Sequence, residues 1–122
     1  SVMSTPPPHP TGPFADCHCA EPCADCDLVK YYRDMVTGMW RLATDLRKRV
    51  RRALARGMHR EHVRLAFERS LENCIFMANN TTRICEEKAE EKPAYHVIVR
   101  ALEKTIGAFE RALAMCRPAA AA

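Results

Sequence analysis

The sequence predicts an all-α fold: an antiparallel up-down-up three-helix bundle, preceded by a disordered Pro-rich N-terminal tail and a Cys-rich N-terminal knot. Three observations predict it. Apolar residues recur every three or four positions over three long stretches. Those stretches are interrupted at Gly57 and Pro93, residues that end helices. Glycine is scarce and long β-branched runs are missing, which argues against a sheet. The 122 residues suit one domain, and a chain that is 48% hydrophobic and 28% charged has ordinary globular composition.

Residues 1–14 are Pro-rich and polar and read as a flexible or polyproline-like tail. Residues 15–27 form the cysteine segment, 28–117 the bundle and 118–122 a short tail. The first helix is predicted to begin between residues 22 and 27 and to end near 56. Its stripe is Leu28, Tyr32, Met35, Met39, Leu42, Leu46 and Val50, close to a heptad. Pro22 suits the first helical position, where its missing N–H costs nothing. A second apolar line, Val36, Trp40, Ala43 and Leu54, adjoins the first. It reads either as a widening of the core-facing stripe or as a seam for a homodimer.

The second helix is predicted over about 59–91. Val63, Phe67, Ser70, Cys74, Met77, Thr81, Ile84 and Lys88 give its rhythm, with Leu71 and Cys85 beside them. It must end before Pro93, because the residue preceding a proline is pushed out of helical geometry. The third is predicted over about 93–116, with the stripe Tyr95, Ile98, Leu102, Ile106, Phe109, Leu113 and Cys116. Short connections make sequential helices antiparallel neighbours.

Residues 16–27, "DCHCAEPCADCD", carry Cys17, Cys19, Cys23 and Cys26, with His18 between the first two. Cys23-x2-Cys26 is the commonest half of a structural zinc site, since this spacing lets both sulfurs reach one tetrahedral ion. Cys17 and Cys19 can supply the other half, and His18 can replace one of them. The dipole of a helix starting here favours charged sulfur. Antiparallel topology carries Cys85 and His96 to the same end of the bundle, where either can complete the site. Zn²⁺ is therefore the expected cofactor, with disulfides and no metal as the alternative. The spacing of Cys17, Cys23 and Cys26 also fits a loop of certain [2Fe–2S] ferredoxins, but those are sheet-rich. Cys74 and Cys116 lie on apolar stripes and read as small buried hydrophobes.

The charges are polarised. Arg47, Lys48, Arg49, Arg51, Arg52, Arg56, Arg60 and Arg64 crowd the first connection together with His59 and His62, whereas Glu86, Glu87, Glu90 and Glu91 occupy the opposite end. Such a basic tip can bind a protein partner or the phosphates of a nucleic acid, or serve as a solvated helix end. Without interleaved aromatics it offers no base stacking. Two overlapping glycosylation triplets begin at Asn79 and Asn80, in a stretch predicted to be helical.

No catalytic constellation and no membrane-length apolar run is seen. The first residues, "SVMSTPPPHPTGPF", have no apolar core and do not read as a signal peptide. Seven cysteines is an odd number, which suits a fully paired disulfide scaffold poorly. The expectation is a small intracellular protein, cytoplasmic or nuclear, that is not an enzyme. It would be a zinc-binding helical adaptor or regulatory protein acting through protein–protein interaction. The alternatives are a nucleic-acid-associated factor using the basic tip, and a secreted, disulfide-linked helical bundle.

Overall fold

The computed structural model describes residues 24–118. Helix α1 (Ala24–Ala55) is followed by α2 (Arg60–Ala89) and α3 (Ala94–Cys116), and no strand occurs among the described residues. The first connection is set by Gly57. Its φ of 81° lies in the left-handed region that a side chain would oppose. Gly57 N–H donates to the Leu54 carbonyl at 3.0 Å, and Met58 N–H donates to the Ala53 carbonyl at 3.1 Å. This reciprocal pair satisfies carbonyls that the end of α1 would otherwise leave open. His59 then caps α2, its Nδ1 accepting from the Glu61 N–H at 3.2 Å. The second connection turns at Pro93, as the sequence predicts, and α3 starts directly after it.

Cross-helix contacts give the direction of each helix. Thr81, late in α2, meets Met35, early in α1. Glu68, early in α2, meets Arg117 beyond the end of α3. Sequential helices are thus antiparallel. Helices α1 and α3 run the same way, with the Tyr32 and Tyr95 rings edge to face at 6.0 Å between centroids.

Helix α3 is the centre of the bundle. Its whole predicted stripe is buried, and Phe109, Ile98, Leu102 and Cys116 have lost nearly all contact with solvent. Each large apolar side chain buried in this way stabilises the fold by about 1.5–3 kcal/mol. Both other helices pack extensively on α3, and far less on each other.

This arrangement corrects two of the predicted stripes. On α1 the core is centred on Val36, Ala43, Leu46 and Val50. The line containing Val36 and Ala43 therefore belongs to the core, and Leu42 of the first stripe is exposed. On α2 Val63 and Thr81 of the predicted stripe are buried, but the core line runs through Leu71, Ala78, Cys85 and Ala89, while Ser70, Met77 and Ile84 face solvent. The cause is the same in both helices. Each turns towards α3, the most apolar partner, and the stripes that would face a close α1–α2 seam are left to one side.

Candidate functional site

Three groups of residues have chemistry to offer: the thiols and imidazole near the start of α1, the basic tip, and the open side between α1 and α2. Cys17, His18, Cys19 and Cys23 lie outside the described residues. Cys26 is in the first turn of α1. Cys85 is fully buried in the half of the core formed by Val36, Ala89, Tyr95, Ile98 and Leu102. Burial pushes its thiol up to about 11, because the thiolate would lose its hydration there. His96 lies in the first turn of α3 and is exposed. Among the described residues no three His, Cys, Asp or Glu side chains are grouped to hold a metal ion. Cys74 and Cys116 are thiols raised by burial, packed in or against the other half of the core, as their place on apolar stripes predicts.

The basic tip divides into two populations. Arg60 Nη1 donates to the Arg117 carbonyl at 2.9 Å. Arg64 bridges Glu61 and Glu68, holding the Glu61 carboxyl below its ordinary range chiefly by hydrogen bonding. Arg117 Nε donates to Glu68 at 3.0 Å. Arg60 and Arg117 thus tie the start of α2 to the end of α3, and Arg64 holds the Glu68 carboxylate that also accepts from Arg117. Arg49 faces Asp45 one turn back, at 3.5 Å. Arg47 is half-buried, with an Nε that has no hydrogen-bond partner among the described residues. Lys48, Arg51, Arg52 and Arg56 are exposed and have no carboxylate partner among the described residues. They form the chemically available part of the tip. His59 and His62 lie nearby with ring centroids 5.7 Å apart.

The third group is the side that the turn towards α3 has opened. Along α1 it presents Tyr31, Met35 and Leu42, and along α2 Met77 and Ile84. Tyr31 is 57% exposed, Leu42 44%, Met77 60% and Ile84 42%. At the end near the first connection this side becomes a cleft of about 350 Å³, walled by Arg49 and Arg52 of α1, by Arg56 just beyond it, and by Met58 and Phe67. Towards the opposite end the two helices touch through Met35 and Thr81, whose Oγ1 lies 3.8 Å from the sulfur. Leu65 and Phe76 add exposed apolar surface to the outer face of α2. A soluble monomer rarely leaves apolar side chains contiguous over such a length.

Leu42, Met77 and Ile84 lie on predicted stripes yet are exposed, as are Phe76 and Leu65, which lie off those stripes. A signal was present. Helix α2 carries large apolar residues around more of its circumference than one core needs, beside a quiet line of Ala78, Cys85 and Ala89.

A second cleft separates α1 from α3, where Lys104 Nζ lies 5.4 Å from the centre of the Trp40 ring. This cation–π contact shields part of Trp40. The glycosylation triplets fall inside α2, where their Thr81 and Thr82 are buried. No described helix is long and apolar enough to cross a membrane.

No family model, curated protein or solved structure matches this chain.

Proposed function

We propose that this protein is a small non-catalytic adaptor or regulatory module that acts through protein–protein interaction. The observation that carries the reading is the exposed apolar side between α1 and α2, from Tyr31 and Ile84 through Leu42 and Met77. Surfaces of this kind are covered by partners, because covering removes apolar area from water. In the same reading, the cysteine segment binds one Zn²⁺ through Cys23 and Cys26 and two of Cys17, His18 and Cys19. Cys85 is less suited, since its deprotonation is disfavoured inside the core. An intracellular site of action, cytoplasmic or nuclear, accords with this thiol chemistry.

The test is a photo-crosslinking residue placed at Met77, with a second at the exposed Arg100 of α3 as control, in cells that make the protein. Adducts specific to position 77, lost on Leu42→Asp, support the reading. No adduct at position 77 beyond those at position 100 overturns it.

A second reading is favoured by Lys48, Arg51, Arg52 and Arg56, exposed cations with no carboxylate partner among the described residues. They would bind the phosphate backbone of a nucleic acid without reading its sequence. Binding of mixed-sequence duplexes should then weaken steeply with salt, and Arg51→Glu with Arg52→Glu should abolish it. Binding that is absent or indifferent to salt excludes this reading.

A further inference from the structure

We infer that the open side between α1 and α2 is covered by a second copy of this chain, packed antiparallel across a two-fold axis near Met77. The inference rests on the reading of that side as an interaction surface and names its occupant. The residues flanking the opening recur at heptad spacing on both helices. They are Met35, Leu42, Arg49 and Arg56 leading out of α1, and Ser70, Met77, Ile84 and Glu91 leading out of α2. Rows of this spacing receive the ridges of another near-parallel or antiparallel helix pair.

Charge selects the occupant and its direction. The face is apolar in the middle and charged at its ends, with opposite predominant signs: Arg52 and Arg56 at one, Glu87 and Glu91 with Lys88 between them at the other. Among the described residues, Arg52 and Arg56 have no carboxylate partner. A two-fold axis across the middle sets each copy's arginines against its partner's glutamates and apposes Met77 to its own counterpart. A parallel copy would oppose like charges. An isologous contact of this type closes on itself and needs no further subunit.

The size is adequate. Helix α2 has 30 residues, hence a length of about 45 Å. Helices pack about 10 Å apart, so a face two helices wide offers on the order of 800 Å² per partner, the usual area of a stable interface. This seam is not the one the sequence suggests for a dimer. Val36 and Ala43 of that line are buried within the bundle.

The experiment measures the molar mass of the full chain by sedimentation equilibrium and light scattering at micromolar concentration. The expected mass is twice the 13.8 kDa of one chain. Met77→Glu with Ile84→Glu should halve it without loss of helical circular dichroism, because both side chains are exposed within the chain. Arg52→Glu with Arg56→Glu should be monomeric, as should Glu87→Arg with Glu91→Arg, and an equal mixture of the two should regain the double mass. A wild-type monomer overturns the inference, as does a dimer that survives Met77→Glu with Ile84→Glu. Peroxide oxidation of Met77 separates the two kinds of failure. In a monomer with Met77 freely oxidised, the face stays open to a foreign protein and the adaptor reading stands. In a monomer with Met77 shielded, residues 1–23 of the same chain cover the face and the adaptor reading falls too.

Discussion

Glu68 accepts a hydrogen bond from Arg117 Nε at 3.0 Å across 49 residues of sequence, fastening the end of α3 to the first turns of α2. The same carboxylate accepts from Arg64 at 3.0 Å. One half-buried anion therefore serves two cations, and Arg60 closes the arrangement from the other side through the Arg117 carbonyl.

Replacing Glu68 by Ala should destabilise the fold by about 1 kcal/mol, since two charge-assisted bonds are lost at a partly dry site. Glu72→Ala should change stability by less than about 0.5 kcal/mol. It reaches Arg117 only at 3.7 Å, and both side chains are solvated. Urea midpoints at constant m-value provide the measurement. Equal effects would mean that the pair geometry carries no weight.

Phe109→Ala should cost about 3–5 kcal/mol. The ring is fully buried in a cluster drawn from all three helices. Small domains have on the order of 5–15 kcal/mol in total, so the variant should be close to unfolding when warmed. Phe76→Ala, at an exposed position of α2, should be nearly neutral in the monomer. Thermal unfolding of the two variants in parallel checks the contrast.

The two phenylalanines show what can be read from sequence alone. Phe109 stands on a single apolar stripe of α3, so its burial follows from period and length. The ends of the helices were equally legible, because Gly57 and Pro93 act through their own backbone chemistry. The rotation of α1 and α2 was not. Each carries two adjoining apolar lines, and only the position of the third helix decides which one is inside. In α2 the deciding residues were small, Ala78 and Ala89, and small side chains contribute little to a periodic signal. The open side with Met77 and Ile84 was hidden for that reason. Among the arginines, pairing depends on partners distant in sequence, such as Arg117 for Glu68. The sequence shows a basic cluster but not which members are occupied.

The buried thiol of Cys85 should make the fold sensitive to alkali. Its ordinary value is 9.0, and burial raises it to about 11. The folded chain therefore favours the protonated thiol more than the unfolded chain does. Its contribution is fully present below about pH 9 and is lost as the pH rises through about 11. The loss should approach about 2–3 kcal/mol above that window. Urea unfolding between neutral pH and pH 11 should show a steeper decline for wild type than for Cys85→Ala. Tyr32, raised chiefly by burial and in part by the neighbouring Cys85, remains in both proteins and keeps the part of its shift that burial causes. Identical slopes would remove Cys85 as the cause.

The last prediction concerns zinc. Full-length protein purified under reducing conditions should carry one Zn²⁺ in native mass spectrometry. Cys23→Ser and Cys26→Ser should each release it, because Cys-x2-Cys supplies half of the tetrahedron and the loss of one sulfur leaves too few donors. Affinity should fall as pH drops, since protons compete for the thiolates. The structure sharpens the controls. Cys116 is buried among the residues around Phe109, so Cys116→Ser should leave the metal content unchanged. Cys85 is buried beside Ile98 and Leu102, where forming a thiolate is disfavoured, so Cys85→Ala should lower stability but retain the ion. If Cys85→Ala loses zinc in a protein that remains helical, this thiol leaves the core to bind the metal. The ligand set would then join α2 to the cysteine segment. If the reduced wild type holds no metal and mass mapping finds Cys23 or Cys26 in a native disulfide, the segment is a covalent staple. The secreted alternative would then replace the zinc-binding adaptor.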